Sequence, residues 1–493
     1  MSESAWPRQG NERGGFIRQS AVRLRPEALL VIAGALGVAV LAGARASPLL
    51  FLAVVGGLGA ALFLIAPAVG LMALPLIALF VPVDFQVSNV VRVNVAVVAV
   101  PVFLGLWLLS MVRHRRFSFV RTPVNLPMLA FLAMITLAWV LGDLMWDPFV
   151  PKPANALAVQ LGQWAIYAFS LAAMWLAANL LEKERWLRWT TFSFLAVGAA
   201  AIGARMLAEQ QNGVESIVSG GAMTSLFGVW FAAMALSQML FNRHLPALAR
   251  CFLAAALAAL LYFLVFVAGV LWLSGWVPVL IVGCVLLALR FPRLALLLFV
   301  IGAVAIWLNL DKLMVGLQFD REIAKSGGGR LAHWRIVWEF VRERPWFGLG
   351  LAAYRHYTWS RPDLVADYLF RRANVSTHNN YYDIFAFSGI VGLAAFLWFA
   401  GAFGRLAWRT ARRLRDGGDF DSAFAHGVLA GFIAMLASGL LGDWFLPFVY
   451  NIGFPGFRAS VMGWVLMGGL VALAARMAKN DGYAYLEEHR PAL

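Results

Sequence analysis

The amino-acid sequence predicts an all-α membrane protein that crosses the bilayer about 12 to 14 times. Two observations support this prediction. Hydrophobic residues make up 62% of the 493 residues and charged residues only 13%, and the mean hydropathy is +0.77, whereas soluble domains are about half apolar and a quarter charged. In addition, windows of about 20 residues with few or no charges recur along nearly the whole chain, as transmembrane helices require.

Apolar runs separated by polar or basic segments predict about fourteen helices. In chain order they span residues 27–44, 48–66, 68–83, 90–112, 125–144, 155–181, 190–208, 221–241, 250–269, 272–290, 294–310, 379–403, 423–442 and 458–477. Two stretches are ambiguous, because 48–83 and 250–290 could each hold a single helix and a re-entrant piece instead of two helices.

The loop charges predict the orientation. Arginine and lysine cluster before the first helix and in the loops after 90–112, 155–181, 221–241, 272–290 and 379–403, whereas most loops on the other side carry Asp or Glu. The positive-inside rule then places both termini in the cytoplasm and the loop 311–378 outside. Because the net charge of +15 comes largely from these loops, it indicates membrane orientation and argues against nucleic-acid binding.

This topology divides the chain into five parts. They are a cytoplasmic segment (1–26), a transmembrane bundle (27–310), an outer loop (311–378), C-terminal helices (379–478) and a cytoplasmic tail (479–493). The first and last parts are expected to be disordered or to face the cytoplasm, and no chemistry is assigned to either.

The outer loop is expected to hold an amphipathic helix. A flexible turn ends in Gly329, and Arg330 opens the helix. Four apolar residues recur at helical spacing on one face, namely Trp334, Val337, Trp338 and Val341. This face is expected to lie at the membrane surface with its tryptophans among the headgroups. The helix should end at Pro345, followed by a tight turn over residues 346–350.

The outer loop is also basic, through Arg330, Arg335, Arg355, His356, Arg371 and Arg372. Guanidinium groups pair with phosphate oxygens, so these residues indicate either a lipid-linked phosphate or pyrophosphate substrate, or contact with anionic lipid headgroups. Arg330 is the favoured substrate ligand, because a helix N-terminus already suits an anion. Arg335 lies off the tryptophan face and is a further candidate.

His378 and Asn379 begin the next apolar helix, and Asn379 and Asp443 are candidates for binding the substrate. A neutral imidazole there could accept a proton from a sugar hydroxyl, or it could merely cap the helix. Asp443 could orient His378, pair with Arg330, or be an ordinary interface residue. Other polar residues are expected near the outer helix ends, namely Arg92, Asn94, Gln160, Gln163 and Arg205. Of these, Arg92 and Arg205 are candidates for binding substrate phosphate, although Arg92 could also snorkel to the surface.

The sequence indicates no cofactor or metal. Asp-x-Asp and His-x-x-x-His patterns are missing from the predicted outer face, and Cys251 and Cys284 lie in apolar runs, where they are expected to act as small hydrophobes. There is also no Walker loop or dinucleotide fingerprint. If the protein is a transferase, it is expected to work without a metal and without using a nucleotide sugar directly.

Two motifs resemble those of the O-antigen ligase superfamily. In 330–350, Arg330 opens a helix and a Pro-x-x-Gly-x-Gly segment follows at 345–350. In 378–392, His378-Asn379 is followed, after nine residues, by Gly389-x-x-Gly392. The resemblance covers about residues 326–393, and the rest of the chain is similar only in topology.

The resemblance implies a GT-C-like, metal-independent, inverting glycosyltransferase of the bacterial inner membrane, with its outer loop in the periplasm. The donor would be a glycan linked to undecaprenyl pyrophosphate. The acceptor would be a hydroxyl of a glycan or of lipid A core. By this resemblance His378 is the general base, and Arg330, with Arg92 or Arg205, holds the departing pyrophosphate. The family includes ligases and polymerases, and the sequence leaves both open.

Two departures favour a polymerase or another polysaccharide transferase. Where ligases typically carry a Ser-Arg pair, the counterpart in this sequence is Leu273-Ser274-Gly275-Trp276, which has no arginine. In addition, the predicted number of helices is about fourteen, whereas the ligases usually have twelve. The histidine motif favours a ligase. A transporter of lipid-linked sugars is disfavoured because the charges concentrate at one face, and a non-catalytic scaffold would leave the polar outer loop unexplained.

Overall fold

The fold is described from a computed structural model. It covers residues 66–88, 90–115, 117, 119–210, 218–269, 272–309, 328–360 and 376–488. The elements, in chain order, are α1 (Pro67–Phe80), β1 (Asp84–Gln86), β2 (Arg92–Asn94), α2 (Val95–His114), α3 (Asn125–Leu144), α4 (Ala156–Leu180), α5 (Glu184–Gln210), α6 (Ser225–Phe241), α7 (Ala247–Tyr262), a π-helical turn (Phe263–Val267), α8 (Leu273–Arg290), α9 (Pro292–Leu308), α10 (Gly328–Val341), α11 (Tyr354–Trp359), α12 (Asn380–Arg413), α13 (Phe420–Leu441) and α14 (Gly453–Glu488).

These elements confirm an all-α polytopic membrane protein. Within the described ranges, nine helices are long and apolar enough to cross a bilayer, and α1, α6 and part of α9 are shorter apolar helices. Every helix predicted from 68–83 onward has a counterpart. The predicted helices 27–44 and 48–66 lie outside the described residues, apart from Ala66. The ambiguity over 250–290 is resolved in favour of two helices, α7, which ends in the π-helical turn, and α8.

Several helix boundaries differ from the predictions, and three of the differences affect the description of the chain. The start of the predicted helix 90–112 is strand β2, and α2 begins only at Val95, because the side chain of Asn94 caps it by accepting a hydrogen bond from the Val97 amide. Helix α12 continues to Arg413. Helix α14 continues to Glu488, so residues 479–488 of the predicted tail are helical, where disorder was one of the expectations.

Glycines allow the central helix α14 to pack very closely against α4 and α6. A Cβ on Gly468 would lie 2.1 Å from the carbonyl oxygen of Met174 in α4. A Cβ on Gly463 would lie 2.1 Å from Nε1 of Trp230 in α6. Small residues at such contacts let helix backbones approach within a membrane, where the lipid provides no hydrophobic drive for association.

One end of the bundle gathers the segments that position the site, and we refer to it as the His378 end. It comprises the loops 81–94, 145–155, 218–224 and 442–452 with residues 328–360 and 376–379. Arg458 joins several of them. Its buried guanidinium lies 2.7 Å from Oδ1 of Asp84 and donates to the carbonyls of Val81 and Gly220 at 3.2 Å. Because Asn94 also donates to the carbonyl of Phe454, the β1–β2 hairpin is fixed to the start of α14.

Candidate functional site

Helix α12 is broken at Gly389, where the backbone has φ 66° and ψ −165°. In an unbroken helix, the amides of Ile390 and Val391 would bond to the carbonyls of Ala386 and Phe387. At the break these groups bond instead to the segment 345–350, which we name the glycine loop.

Four backbone hydrogen bonds join the glycine loop to the broken helix. The amides of Leu349 and Gly350 donate to the carbonyls of Ala386 and Phe387, at 2.9 and 3.1 Å. In return, the amides of Ile390 and Val391 donate to the carbonyls of Pro345 and Trp346, at 2.8 and 3.2 Å. The two sequence motifs therefore form one interlocked unit, in which every backbone group released by the break has a new partner.

Glycines make this interlock possible. Gly348 and Gly350 have φ of 70° and 96°, which only glycine adopts without strain. A Cβ on Gly389 would lie 2.3 Å from the carbonyl carbon of Trp346, and one on Gly142 of α3 would lie 2.3 Å from the Cα of Gly350. The glycine loop is thus enclosed between α3 and α12.

His378 lies just before α12 and does not cap it. Asn379 is the cap, since its Oδ1 accepts hydrogen bonds from the amides of Tyr381 and Tyr382 at 2.9 and 3.0 Å. The capping interpretation of His378 is therefore wrong. His378 itself has φ of 46°, a left-handed backbone that is uncommon outside glycine and occurs at strained functional positions.

Asp443 lies beside His378, as one of the sequence interpretations required. Oδ1 of this buried carboxylate is 3.8 Å from Nδ1 of His378. Asn451 completes the arrangement: its Nδ2 donates to Oδ1 of Asp443 at 2.7 Å and lies 3.3 Å from Nδ1 of His378. Nδ1 therefore faces the carboxylate, and Nε2 is left for a substrate. Asn451 was not identified from the sequence.

Asp443 is itself held in place. Its Oδ2 accepts a hydrogen bond of 2.8 Å from the Phe448 amide. Burial raises the pKa of Asp443, while the neighbouring His378 and the hydrogen bonds from Phe448 and Asn451 lower it. The segment 442–452 is also tied to α12, because Asn380 bonds to the carbonyl of Leu446 and the amide of Phe445.

Burial lowers the pKa of His378 below its usual 6.5, and the charges of Arg330 and His333 lower it further, whereas Asp443 raises it. The imidazole is therefore neutral at pH 7, the state that a general base requires. With 39% of its side chain exposed, it is still open to a substrate.

A second buried carboxylate, Asp383, supports the residue that precedes His378. Its Oδ1 accepts hydrogen bonds from the Thr377 hydroxyl at 2.5 Å and from the Tyr354 hydroxyl at 3.0 Å. Asp383, Thr377 and Tyr354 are all buried. Neither Asp383 nor Tyr354 was singled out by the sequence reasoning.

Helix α10 packs against α12, which corrects the prediction that its apolar face lies at the membrane surface. Trp334 stacks on Tyr382 with ring centroids 5.4 Å apart, and its Nε1 donates to the carbonyl of Thr377. Val337 and Val341 are buried. Only Trp338 on this face is largely exposed, although it also contacts a ring of α12. The helical spacing identified the face correctly, but protein covers it.

This packing brings Arg330 to the site. Arg330 lies in the first turn of α10 and is half-exposed, and its charge acts on His378. His333, one turn further, bonds through Nδ1 to the carbonyl of Ser376 at 2.9 Å, and burial lowers its pKa. Asp443 and Arg330 therefore both lie near enough to act on His378, an arrangement that one of the alternatives left open by the sequence, orientation of His378 by Asp443, would require.

The other predicted ligands lie elsewhere. Within the described residues, the charged groups that act on His378 are those of Asp443, Arg330 and His333. Arg92 is exposed on β2, Arg335 is exposed on α10, and Arg205 is half-buried near the end of α5. Asn379 is buried as the cap of α12, with Nδ2 near the carbonyl of Leu440, so it has a structural role at the start of that helix.

A further cluster near the site surrounds Tyr450, the neighbour of Asn451. The Arg355 guanidinium lies 4.5 Å from the Tyr450 ring centroid, and Nη1 donates to its carbonyl. A hydrogen bond of 2.7 Å joins Nε2 of His356 and the Tyr450 hydroxyl. Burial lowers the pKa of His356 to about 4, so His356 is neutral and does not add the positive charge that the sequence suggested. Arg371 and Arg372 lie outside the described residues.

The Leu273–Trp276 segment starts α8 beside the site, because Trp272 contacts Trp444, the neighbour of Asp443, with ring centroids 6.2 Å apart. A Cβ on Gly275 would lie 2.4 Å from the Trp272 ring. An arginine therefore cannot stand at this position unless Trp272 moves.

An apolar groove of about 400 Å³ opens beside the β1–β2 hairpin. Its walls come from the hairpin, α2, α4 and the start of α14, through Val87, Val91, Val93, Val97, Val98, Pro101, Leu157, Ala158, Leu161, Gly162, Ala165, Phe169 and Phe454. Arg92 lies between two of these valines on β2, and neighbouring strand residues point to opposite faces, so Arg92 is on the face of the hairpin that does not line the groove.

The described residues contain no group of three or more His, Cys, Asp or Glu side chains that could hold a metal ion. The polar groups around His378 are instead the carboxylate of Asp443, the carboxamide of Asn451 and the guanidinium of Arg330. Such a set can orient a neutral imidazole and attract an anion.

The chain was also compared with known proteins. No curated protein matches it. Residues 216–397 match the family model described as O-Antigen ligase, a segment that includes α10, the glycine loop and His378. The match confirms the resemblance predicted from the motifs: over this segment the protein is similar to the O-antigen ligases, membrane enzymes of the ligase or polymerase type.

Proposed function

We propose that this protein transfers a glycan from undecaprenyl pyrophosphate to a sugar hydroxyl, as an O-antigen ligase does. The observation that carries the proposal is the pairing of His378 with the buried carboxylate of Asp443, 3.8 Å away, next to the cation Arg330. A neutral base with a carboxylate behind it and an arginine beside it suits attack by a hydroxyl on a donor with an anionic leaving group.

His378 acts as the general base. When the neutral imidazole carries its proton on Nδ1, Oδ1 of Asp443 is on that side and Nε2 is available to take a proton from the acceptor hydroxyl. Asp443 then stabilises the imidazolium that forms. Asn451 donates to the same carboxylate oxygen and keeps it in position.

The acceptor oxygen attacks the anomeric carbon as its proton passes to His378. The bond between that carbon and the pyrophosphate oxygen breaks, the electron pair leaves with the pyrophosphate, and a single displacement inverts the anomeric configuration. Arg330, already within electrostatic reach of His378, stabilises the departing charge. These steps use only side chains of the protein and no metal ion.

The apolar groove supports a lipid-linked donor. It lies on the same end of the bundle as His378, and its last lining residue, Phe454, is three residues from Asn451. Its apolar walls suit an isoprenoid chain. We place this end in the periplasm of a bacterial inner membrane, because the basic loops are at the other end.

A polymerase is the second candidate, and one observation favours it. Gly275 packs against Trp272 where ligases are expected to carry an arginine, so the donor must be held differently. The two candidates share the chemistry and differ in the acceptor, which is lipid A core for a ligase and another lipid-linked glycan for a polymerase.

The test is the surface glycan of a strain lacking this protein, complemented with wild type, His378→Ala or His114→Ala. His114 is an exposed histidine at the opposite end of α2 and serves as the matched control. If long glycan accumulates on the carrier without His378, the protein is a ligase; if single repeats accumulate, it is a polymerase. Normal glycan from His378→Ala would overturn the proposal.

A further inference from the structure

We propose that a groove at the opposite end of α12 binds an anionic phospholipid. The groove has a volume of about 380 Å³ and lies between α12 and the segment that leads into α3, represented by Pro123. Trp398, Gly401 and Leu406 contribute to its apolar part, and Arg405 and Arg409 stand at its charged end. The site is separate from His378.

The groove follows from the spacing of these residues. Positions 398, 401, 405 and 409 are separated by three or four residues and therefore lie on one side of the helix. Gly401 leaves the groove open at its position, because it has no side chain and a Cβ there would meet no atom within 4 Å. The groove is thus open where an acyl chain would lie.

The two arginines suit a phosphate group. Arg405 and Arg409 are exposed and one helical turn apart, and the described part of the chain offers neither of them a carboxylate partner. By contrast, Arg413, the next arginine along this stripe, pairs with Asp481. Two arginines whose Cβ atoms are about 5–6 Å apart can direct both guanidiniums to the oxygens of one phosphodiester.

The depth of the groove also matches a lipid. Because α12 is broken at Gly389, the rise of 1.5 Å per residue gives upper values: Arg405 lies at most about 38 Å from Asn380, and Gly401 at most about 32 Å. A bilayer has a hydrocarbon core of about 30 Å. The arginines are therefore at headgroup level in the leaflet opposite His378, while Trp398 and Gly401 lie towards the acyl chains. Basic pockets between helices on this side are suited to anionic lipids.

Native mass spectrometry of the full chain in detergent tests this proposal, with phosphatidylglycerol and phosphatidylcholine of identical acyl chains as probes. We expect the wild type to retain one phosphatidylglycerol and to bind phosphatidylcholine more weakly. Each arginine near an anionic lipid contributes enough that Arg405→Gln or Arg409→Gln should weaken binding about 5-fold, and the double variant about 30-fold.

Two further variants separate charge from shape. Arg293→Gln removes an exposed arginine from α9, outside the groove, and should leave lipid binding unchanged. Gly401→Leu fills the open floor without touching the arginines, and should reduce phosphatidylglycerol binding while the melting temperature is kept. Undiminished phosphatidylglycerol binding by the double variant, or equal binding of both lipids by the wild type, would overturn the proposal.

Discussion

The hydroxyl of Thr377 donates a 2.5 Å hydrogen bond to the buried carboxylate of Asp383, which lies one turn inside α12. Thr377 directly precedes His378, whose backbone has φ of 46°. A residue in this conformation persists only when its surroundings hold it there. We therefore expect Asp383 to position His378 through Thr377.

We predict that Thr377→Val lowers the rate of glycan transfer roughly 10- to 100-fold, because loss of the hydrogen bond lets the imidazole move from its place. The variant keeps the shape of the side chain and removes only the hydroxyl. Thr377→Ser restores that hydroxyl and should recover most of the rate. The measurement is transfer with purified enzyme and lipid-linked donor, with kcat and KM determined separately. A purely structural role would instead show as lost folded protein, with normal kcat in what remains.

His378→Ala should lower the rate about 10²- to 10⁴-fold, the usual contribution of a general base. Its side chain is 39% exposed and does not cap α12, so expression and melting temperature should remain near those of wild type. His114→Ala is expected to transfer glycan normally. Equal rates of glycan transfer by His378→Ala and His114→Ala would contradict the role of His378 as the general base.

Transfer should depend on pH through His378. Its pKa is lowered from 6.5, so activity should be level at and above pH 7 and should fall only when acid protonates the imidazole. Because Asp443 raises the pKa of His378, Asp443→Asn should move this acid limb to lower pH. The rate on the plateau should also fall, since the imidazolium loses its carboxylate. A pH–rate profile of both enzymes checks this, and a shift of the limb to higher pH would contradict it.

Gly389→Ala should destabilise the protein by more than about 1 kcal/mol. Alanine would have to adopt φ of 66°, and its Cβ would lie 2.3 Å from the Trp346 carbonyl carbon. Gly401→Ala in the same helix is the matched control. It has open space around it and an ordinary helical backbone, so the change should raise stability by about 0.5–1 kcal/mol. The measurement is thermal unfolding in one detergent, and equal melting temperatures for both variants would refute the strain argument.

The membrane helices within the described residues were predictable from the sequence, because each must present about 20 apolar residues to lipid. The residues at which these helices begin and end were predicted least accurately. At Asn94, for example, a side-chain cap and a strand decide the boundary, and hydropathy carries no sign of either. The apolar face of α10 shows a related limit, since periodicity indicates that a face is covered but not whether lipid or protein covers it.

The site was predictable only in part. His378 and Arg330 stand in recognisable motifs, and Asp443 is a carboxylate at the end of an apolar run. Asn451 was missed because an asparagine in a turn is common, and its role depends on a contact with a residue 73 positions away. Asp383 was missed because its partners come together only after α11 and α12 have packed.

The interlock between the glycine loop and α12 has a consequence for biogenesis. Without residues 345–350, a break at Gly389 would leave the carbonyls of Ala386 and Phe387 without partners about 10 Å inside the helix, which a hydrocarbon environment penalises by several kcal/mol each. The glycine loop precedes α12 in the sequence, so it is synthesised first and is available to bind the helix when α12 is inserted into the membrane. Insertion of α12 would then be completed by its own upstream segment, and a chain cut between residues 350 and 380 should leave the helix stalled in the translocon.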